Sequence, residues 1–410
     1  MSTEELKVGP TLGSAGPARR VQWLDGVRAL AATFVMLHHS FLMTVGGYPG
    51  NNGPWFTDWL MYGHLAVSVF IVVSGYSLAL APVRNGFRFK DGAAGFLRRR
   101  FWRIVPPYWA ALVLVTVLIA IGLTGPANGT EFGLRDFVIN FLLLQDTFGN
   151  VSPNGAFWSI AVEWHIYFLY PLVLLLFRRW GMPAVVMMVL ILVVGQHLIG
   201  LWIPLVAELN RFTPAYLFLF VCGVAAAWLV HRQHGAKSGV LVTMGLLTGF
   251  LVYASFAGTE TTTNNYFWVD LTVGCSAAAL FVALDQGWLR WAVWVLSLRP
   301  LVTVGSFAFS LYLIHAPVLA MLTTFVVKPL GADSLFSFVI LLALGLPASV
   351  GAAYAFFLVF ERPFLSIRSF SELLVAIRGP FKARSTLGRL QHTPALASSR
   401  VSRREGKKET

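Results

Sequence analysis

Residues 335–360, LFSFVILLALGLPASVGAAYAFFLVF, hold no charged side chain. As a helix, such a run exceeds the roughly 20 residues that cross the hydrocarbon core of a bilayer. Similar uncharged runs recur along the chain. Lipid offers no hydrogen bonds to an open backbone, so helices that satisfy their own N–H and C=O groups are the natural solution. The sequence therefore implies an all-α, polytopic membrane protein. Composition agrees, with 12% charged residues where soluble domains carry about 25%. The runs predict ten helices, at 27–46, 64–81, 106–124, 157–177, 182–203, 214–231, 239–257, 266–284, 303–325 and 335–360. Pro106, Pro183 and Pro214 are expected near helix starts, where a missing N–H costs little. The apolar piece 132–146 is short and holds Arg135 and Asp136. It reads as interfacial or re-entrant, because a full span there would invert all that follows.

The net charge of +13 raises the question of nucleic acid, but its distribution gives a different answer. With the N-terminus cytoplasmic, every Lys and Arg except Arg135, Arg211 and Lys328 falls on the inner side, as the positive-inside rule requires. Both termini are thus expected in the cytoplasm of a multi-pass protein of a bacterial plasma (inner) membrane, with no nucleic-acid partner. Segment 1–22 lacks the apolar stretch of a signal peptide and reads as a cytoplasmic segment. Residues 23–364 form the membrane domain. The tail 365–410, basic and Ser-rich, reads as disordered and near anionic lipid. Cys222 and Cys275 fall in apolar runs and read as packing residues. No metal-ligand spacing is present, so no metal is expected. Asn128 and Asn150 match the glycosylation pattern, which matters only in a eukaryotic secretory pathway.

Three stretches carry polar groups that packing alone does not explain. In LDGVRALAATFVMLHHSF (24–41), Arg28 and His39 are eleven residues apart. Eleven residues turn a helix by about three turns plus 20° and rise about 16 Å, so the two share a face at different depths. Ala31 and Ala32 leave a shallow path between them. Snorkelling accounts for Arg28, but an ionisable His39 deep in hydrocarbon marks a functional site. An elongated anionic ligand along this face would meet Arg28 at one end and His39 at the other; an extended phosphopantetheine arm has about the right reach. His38, turned about 100° away, is expected to pack or hydrogen-bond.

In FWSIAVEWHIYFLYPL (157–172), Ser159, Glu163, Tyr167 and Tyr170 form one polar stripe. Glu163 reaches a depth comparable to His39. A carboxylate there would raise the basicity of the imidazole and fix its tautomer; the plainer alternative is a Glu bonded to a neighbouring tyrosine. His165, on nearly the opposite face, is expected to pack. In FLRRRFWRIVPPYW (96–109), Arg100 and Arg103 face the same way at i, i+3. Guanidinium pairs suit phosphate, although positive-inside anchoring explains them equally and explains Arg98 and Arg99 better.

Together these stretches resemble the acyltransferase-3 family of membrane O-acyltransferases, from Leu24 to about Phe364. Arg28 and His39 match its Arg/Lys-x10-His motif, and Arg100 and Arg103 its Arg-x-x-Arg. Trp158, Ser159, Glu163 and Trp164 match its Trp-Ser-hydrophobic-x-x-Glu-Trp. FSLYLIHAPV (309–318) resembles a late-helix motif containing Ser310, Tyr312, His315 and Pro317, and FERPF (360–364) an end-of-last-helix Glu-x-Pro. The resemblance implies transfer of an acyl group, acetyl foremost, from cytoplasmic acyl-CoA to a hydroxyl. The acceptor would be a carbohydrate, a glycolipid or a natural product such as a macrolide. Acyl-CoA would be a co-substrate, with no bound cofactor. His39 would be general base or acylated intermediate, with Glu163 orienting it. Arg100, Arg103 and Arg28 would hold the CoA phosphates, with Ser159, Tyr167, Tyr312 and His315 lining the site. Some relatives carry a fused SGNH esterase-like domain. The short tail and the lack of a GDS-type block imply transfer by the membrane unit alone. The outer loops 47–63 and 125–156, with Trp55, Trp59, Phe132 and Phe148, are expected to help choose the acceptor. A proton-coupled transporter or lipid flippase would also use buried His and Glu. No internal repeat or pair of broken spans supports it.

Overall fold

The computed structural model describes residues 21–126, 129, 131–149, 151–365, 367 and 372. Segment 1–20, nearly all of the basic tail, Asn128 and Asn150 lie outside the described residues. Among those described, the chain is helical without strands, and ten helices are long and apolar enough to cross a bilayer. They are α1 (Gln22–Thr44), α2 (Leu65–Arg84), α3 (Gly92–Ala120), α4 (Trp158–Trp180), α5 (Met182–Gly200), α6 (Pro214–His231), α7 (Ala236–Asn264), α8 (Tyr266–Asp285), α9 (Ala308–Leu322) and α10 (Ser334–Phe356). Short π and 3-10 turns extend α9 to Leu330 and α10 to Leu365. An even number of spans returns Val21 and Leu365 to one side, called here the terminal side; the other is the far side.

Small residues let the helices touch, as expected where lipid gives no hydrophobic drive to helix association. A Cβ on Gly75 of α2 would lie 2.1 Å from the Phe220 carbonyl oxygen of α6, and one on Gly223 would lie 2.3 Å from Val72 O. The paired glycines press α2 and α6 together backbone to backbone, and α8 packs on both. Tyr76, Tyr170, Phe220 and Phe281 fill this core. By contrast, α7 turns almost all of its surface outward.

Two departures from expectation bear on the site. Helix α3 begins at Gly92, well before Pro106, so both Pro106 and Pro107 lie inside it. They remove two backbone donors, a loss that transmembrane helices tolerate where neighbours re-satisfy the freed carbonyls. The early start makes the Arg98–Arg103 stretch a helical turn with fixed facing. Residues 299–306 form a separate short helix, Arg299–Ser306, that breaks at Phe307 before α9. Residues 132–146 form no single span but two short helices, Leu134–Phe141 and Gln145–Phe148. Tyr108 donates to Asn140 O at 3.0 Å and Trp109 Nε1 to Phe141 O at 2.8 Å, tying the first of these to α3.

Candidate active site

A pocket lies among α1, α2, α3, α4 and α9. It gathers Arg28, Arg100, Arg103, Ser159, Glu163, Tyr167 and Tyr312, all but two of the site residues expected from sequence. Arg28, at the start of α1, donates to Asp25 Oδ1 at 2.9 Å. Arg100 and Arg103 form no ion pair among the described residues, and the buried Nε of Arg100 has no hydrogen-bond partner. Buried donors are normally satisfied, so an unpaired guanidinium N–H in a pocket suits an anion. The two carboxylates lining the pocket are engaged by hydroxyls instead. Tyr167 donates to Glu163 and accepts from Ser74, 2.8 Å away. Glu361 accepts from the Ser310 hydroxyl at 2.5 Å and the Ser310 N–H at 3.2 Å. Ser159 Oγ and the Tyr312 hydroxyl, 2.7 Å apart, close the inner end.

Behind Tyr312 sit the two remaining residues. His315 Nε2 lies 3.0 Å from His39 Nδ1, and His315 Nδ1 lies 3.0 Å from Leu311 O. A carbonyl only accepts, so Nδ1 of His315 carries the proton. In a neutral pair His315 Nε2 is then an acceptor, and His39 Nδ1 must donate to it. The hydrogen-bond chain leaves His39 Nε2 with a free lone pair, as a general base or nucleophile needs. His38 takes the role expected of it and donates through Nδ1 to Leu60 O at 2.7 Å.

His39 also lines a second cleft, of about 780 Å³, on the far side. Ser159, Tyr312, His315 and His39 thus form the partition between the two spaces. The Tyr312 and His315 rings are 5.8 Å apart between centroids and the His315 and His39 rings 5.0 Å.

The structure corrects several details. The orienting partner of His39 is His315 rather than Glu163, which is bonded to its own-helix neighbour Tyr167. Glu163 lines the pocket with the three guanidinium groups, whereas His39 opens to the far cleft. The path along Ala31 and Ala32 does not exist. Both are buried by packing, Ala32 against Phe307, Ala308 and Ala353, and neither lines the pocket. The open route runs instead along α2, past Ser77 and Ser74. Tyr170 is buried outside the pocket lining, its hydroxyl unpartnered among the described residues. His165 does more than pack: its Nδ1 lies 3.1 Å from Asp146 Oδ2, fastening α4 to the short helix Gln145–Phe148.

One cluster escaped sequence reasoning. Asp270 of α8 accepts from Ser68 at 2.6 Å and from Tyr216 at 3.1 Å, with His64 Nε2 also 3.1 Å away. The His64 ring stacks on Trp158 and Tyr266. The cluster ties the far ends of α2, α4, α6 and α8 and holds Trp158 beside Ser159. A signal was present: Asp270 is an acidic residue inside an apolar span.

A family model described as an acyltransferase domain matches residues 21–358. The peptidoglycan O-acetyltransferase OatA of Listeria monocytogenes is 23% identical over 326 residues, covering 73% of this chain and 49% of the relative. Nodulation protein 10 of Rhizobium leguminosarum bv. viciae is 23% identical, covering 71% of this chain and 81% of its own. The O-acetyltransferase OatA of Staphylococcus aureus is 24% identical, covering 76% and 52%. The chain therefore spans about half the length of the two OatA relatives. No solved structure matches the chain.

Proposed function

The chain belongs to the acyltransferase-3 family, and from that premise we propose that it is a membrane O-acyltransferase moving an acetyl group from acyl-CoA to a hydroxyl. The terminal side would face the cytoplasm, where the positive-inside rule puts the basic segments, in a bacterial inner membrane. The names of the OatA relatives favour acetyl as the group. The Listeria name favours a glycan acceptor of the cell envelope.

In this reading Arg28, Arg100 and Arg103 bind the phosphates of the donor through charge-assisted hydrogen bonds, and the pantetheine arm runs toward Tyr312 and Ser159. The acceptor hydroxyl approaches His39 from the far cleft. His39 Nε2 removes the hydroxyl proton as the oxygen attacks the thioester carbonyl. The tetrahedral intermediate then collapses, the C–S bond breaks, and the CoA thiolate takes up the proton. If instead Nε2 attacks the thioester first, the C–S bond breaks and CoA leaves as the thiolate; the acceptor oxygen then attacks the acyl-imidazole, the same nitrogen leaves, and the hydroxyl proton ends on the thiolate. Both routes need the tautomer that His315 supports. Glu163, bonded to Tyr167, keeps a carboxylate among the three guanidinium groups and orders the pocket wall.

The observation that carries this reading is the unpartnered His39 Nε2 on a partition whose other face abuts a pocket with unpaired guanidinium groups. The test is CoA release from acetyl-CoA by purified protein with a hydroxyl acceptor. His39→Ala is expected to abolish release while acetyl-CoA still binds. Arg103→Ala is expected to weaken acetyl-CoA binding by about tenfold or more. Full activity in the first variant or an unchanged dissociation constant in the second would contradict the assignment.

A further inference from the structure

The cleft that exposes His39 on the far side has a composition unlike the donor pocket. Among the described residues, its lining contains no Asp, Glu, Lys or Arg and no Phe, Tyr or Trp. Leu42, Met43, Ala320 and neighbouring backbone make most of its wall. Besides His39, only Thr124 and Asn154 bring polar side chains. Asn154 is occupied: it donates to Leu313 O at 2.9 Å and accepts from the Ala156 N–H at 2.9 Å. The free polar groups offered to a ligand are few and neutral. Exposed aromatics of the far loops, Trp55, Trp59 and Phe148, lie outside this lining.

The far-side connections as a whole have a definite sign. The far-side connections 45–64, 121–157, 201–213 and 331–333 hold Asp58, Glu131, Asp136, Asp146, Glu208 and Asp333. Against these stand Arg135, Arg211 and, at the far end of α9, Lys328 among the described residues, and Arg211 is paired with Glu208 at 2.6 Å. The far face is therefore acidic. An anionic acceptor would be repelled on approach within the Debye length of about 8 Å. Inside, its charge would lose water and find no cation. A neutral hydroxyl meets neither cost, because His39 Nε2 accepts its proton and apolar walls cover its carbon skeleton.

We propose that the acceptor is an uncharged amphiphile, a hydroxyl on a neutral sugar or similar head with an apolar body, and that this cleft discriminates against acceptors carrying a carboxylate near the reacting hydroxyl. The proposal rests on the acyl-transfer reading and narrows it. It also separates this chain from a carboxylate-bearing cell-wall acceptor.

The test compares two acceptors that keep the same primary hydroxyl, an alkyl glycoside of N-acetylglucosamine and one of N-acetylmuramic acid, which adds a lactyl carboxylate. Full-length protein in detergent receives acetyl-CoA, and both CoA release and acetylated product are measured. The neutral glycoside is expected to show a kcat/KM about tenfold or more above that of the muramic acid glycoside. A Cβ on Gly125, at the mouth of the cleft, meets nothing within 4 Å. Gly125→Lys therefore adds a cation without a steric clash, and is expected to shift the ratio of the two kcat/KM values about tenfold toward the carboxylated acceptor. Equal or better use of the muramic acid glycoside by the unaltered protein, or an unmoved ratio in Gly125→Lys, would overturn the proposal while leaving acyl transfer standing. No CoA release with either glycoside, under conditions where acetyl-CoA binds, would overturn the transfer reading itself.

Discussion

At the scale of single residues, the proposed chemistry turns on which nitrogen of His39 is free. His315 decides that through Leu311 O, by a chain of two hydrogen bonds that leaves one lone pair exposed. Replacing His315 with alanine removes the acceptor for His39 Nδ1 and frees the ring to rotate or change tautomer. Loss of an orienting partner of this kind costs about 10- to 100-fold or more in activity. We expect His315→Ala to lower kcat by about 100-fold with acetyl-CoA binding unchanged, and His315→Gln, which can accept through Oε1, to recover part of that loss. Equal kcat in all three proteins would show that His315 only packs. His39 itself was legible in the sequence because an ionisable side chain in an apolar run needs a reason. Its partner was not legible as such. His315 lies 276 positions away, and helix geometry gives depth and facing but not which helices adjoin. Glu163 took the plainer of its two readings, a bond to Tyr167 one turn along its own helix.

At the scale of elements, the runs that cross a bilayer are set by hydropathy and length, and those were readable almost throughout. What was not readable is how a helix continues into polar sequence. Helix α3 passes through two prolines into an arginine-rich turn, and the residues of that turn then serve the pocket. Close backbone approaches were also silent, because a glycine in an apolar run says little about what it touches. The start of α1 shows the consequence. A Cβ on Gly26 would lie 1.9 Å from Leu296 O, and one on Gly305 would lie 1.9 Å from Asp25 O. The first two turns of α1, which carry Arg28, are thus clasped by two short helices, Arg290–Leu296 and Arg299–Ser306. Because the contact is with backbone, no side chain can swing aside. We expect Gly26→Ala to cost about 1–3 kcal/mol or more, read as a lower midpoint of thermal unfolding in detergent. An unchanged midpoint would mean that this clasp is looser than its geometry indicates.

At the scale of the whole molecule, ten spans place guanidinium groups toward one face and a neutral cleft toward the other, with a thin partition of Ser159, Tyr312, His315 and His39 between them. The arrangement gives the transfer reading a direction. In that reading donor and acceptor need never share a compartment: the donor pocket ends at Ser159 and Tyr312, and His39, which opens to the far cleft, lies behind them. The sequence pointed to this through its charge asymmetry, yet it could not show that the two spaces meet at a histidine pair, which is a property of packing. The most direct measurement uses sealed vesicles holding the full chain in one known orientation, with acetyl-CoA on one face and a neutral alkyl glycoside on the other. Ester is expected to form when acetyl-CoA is on the terminal side and the glycoside on the far side, with CoA retained on the terminal side. Transfer that requires both reactants on the same face would contradict the account.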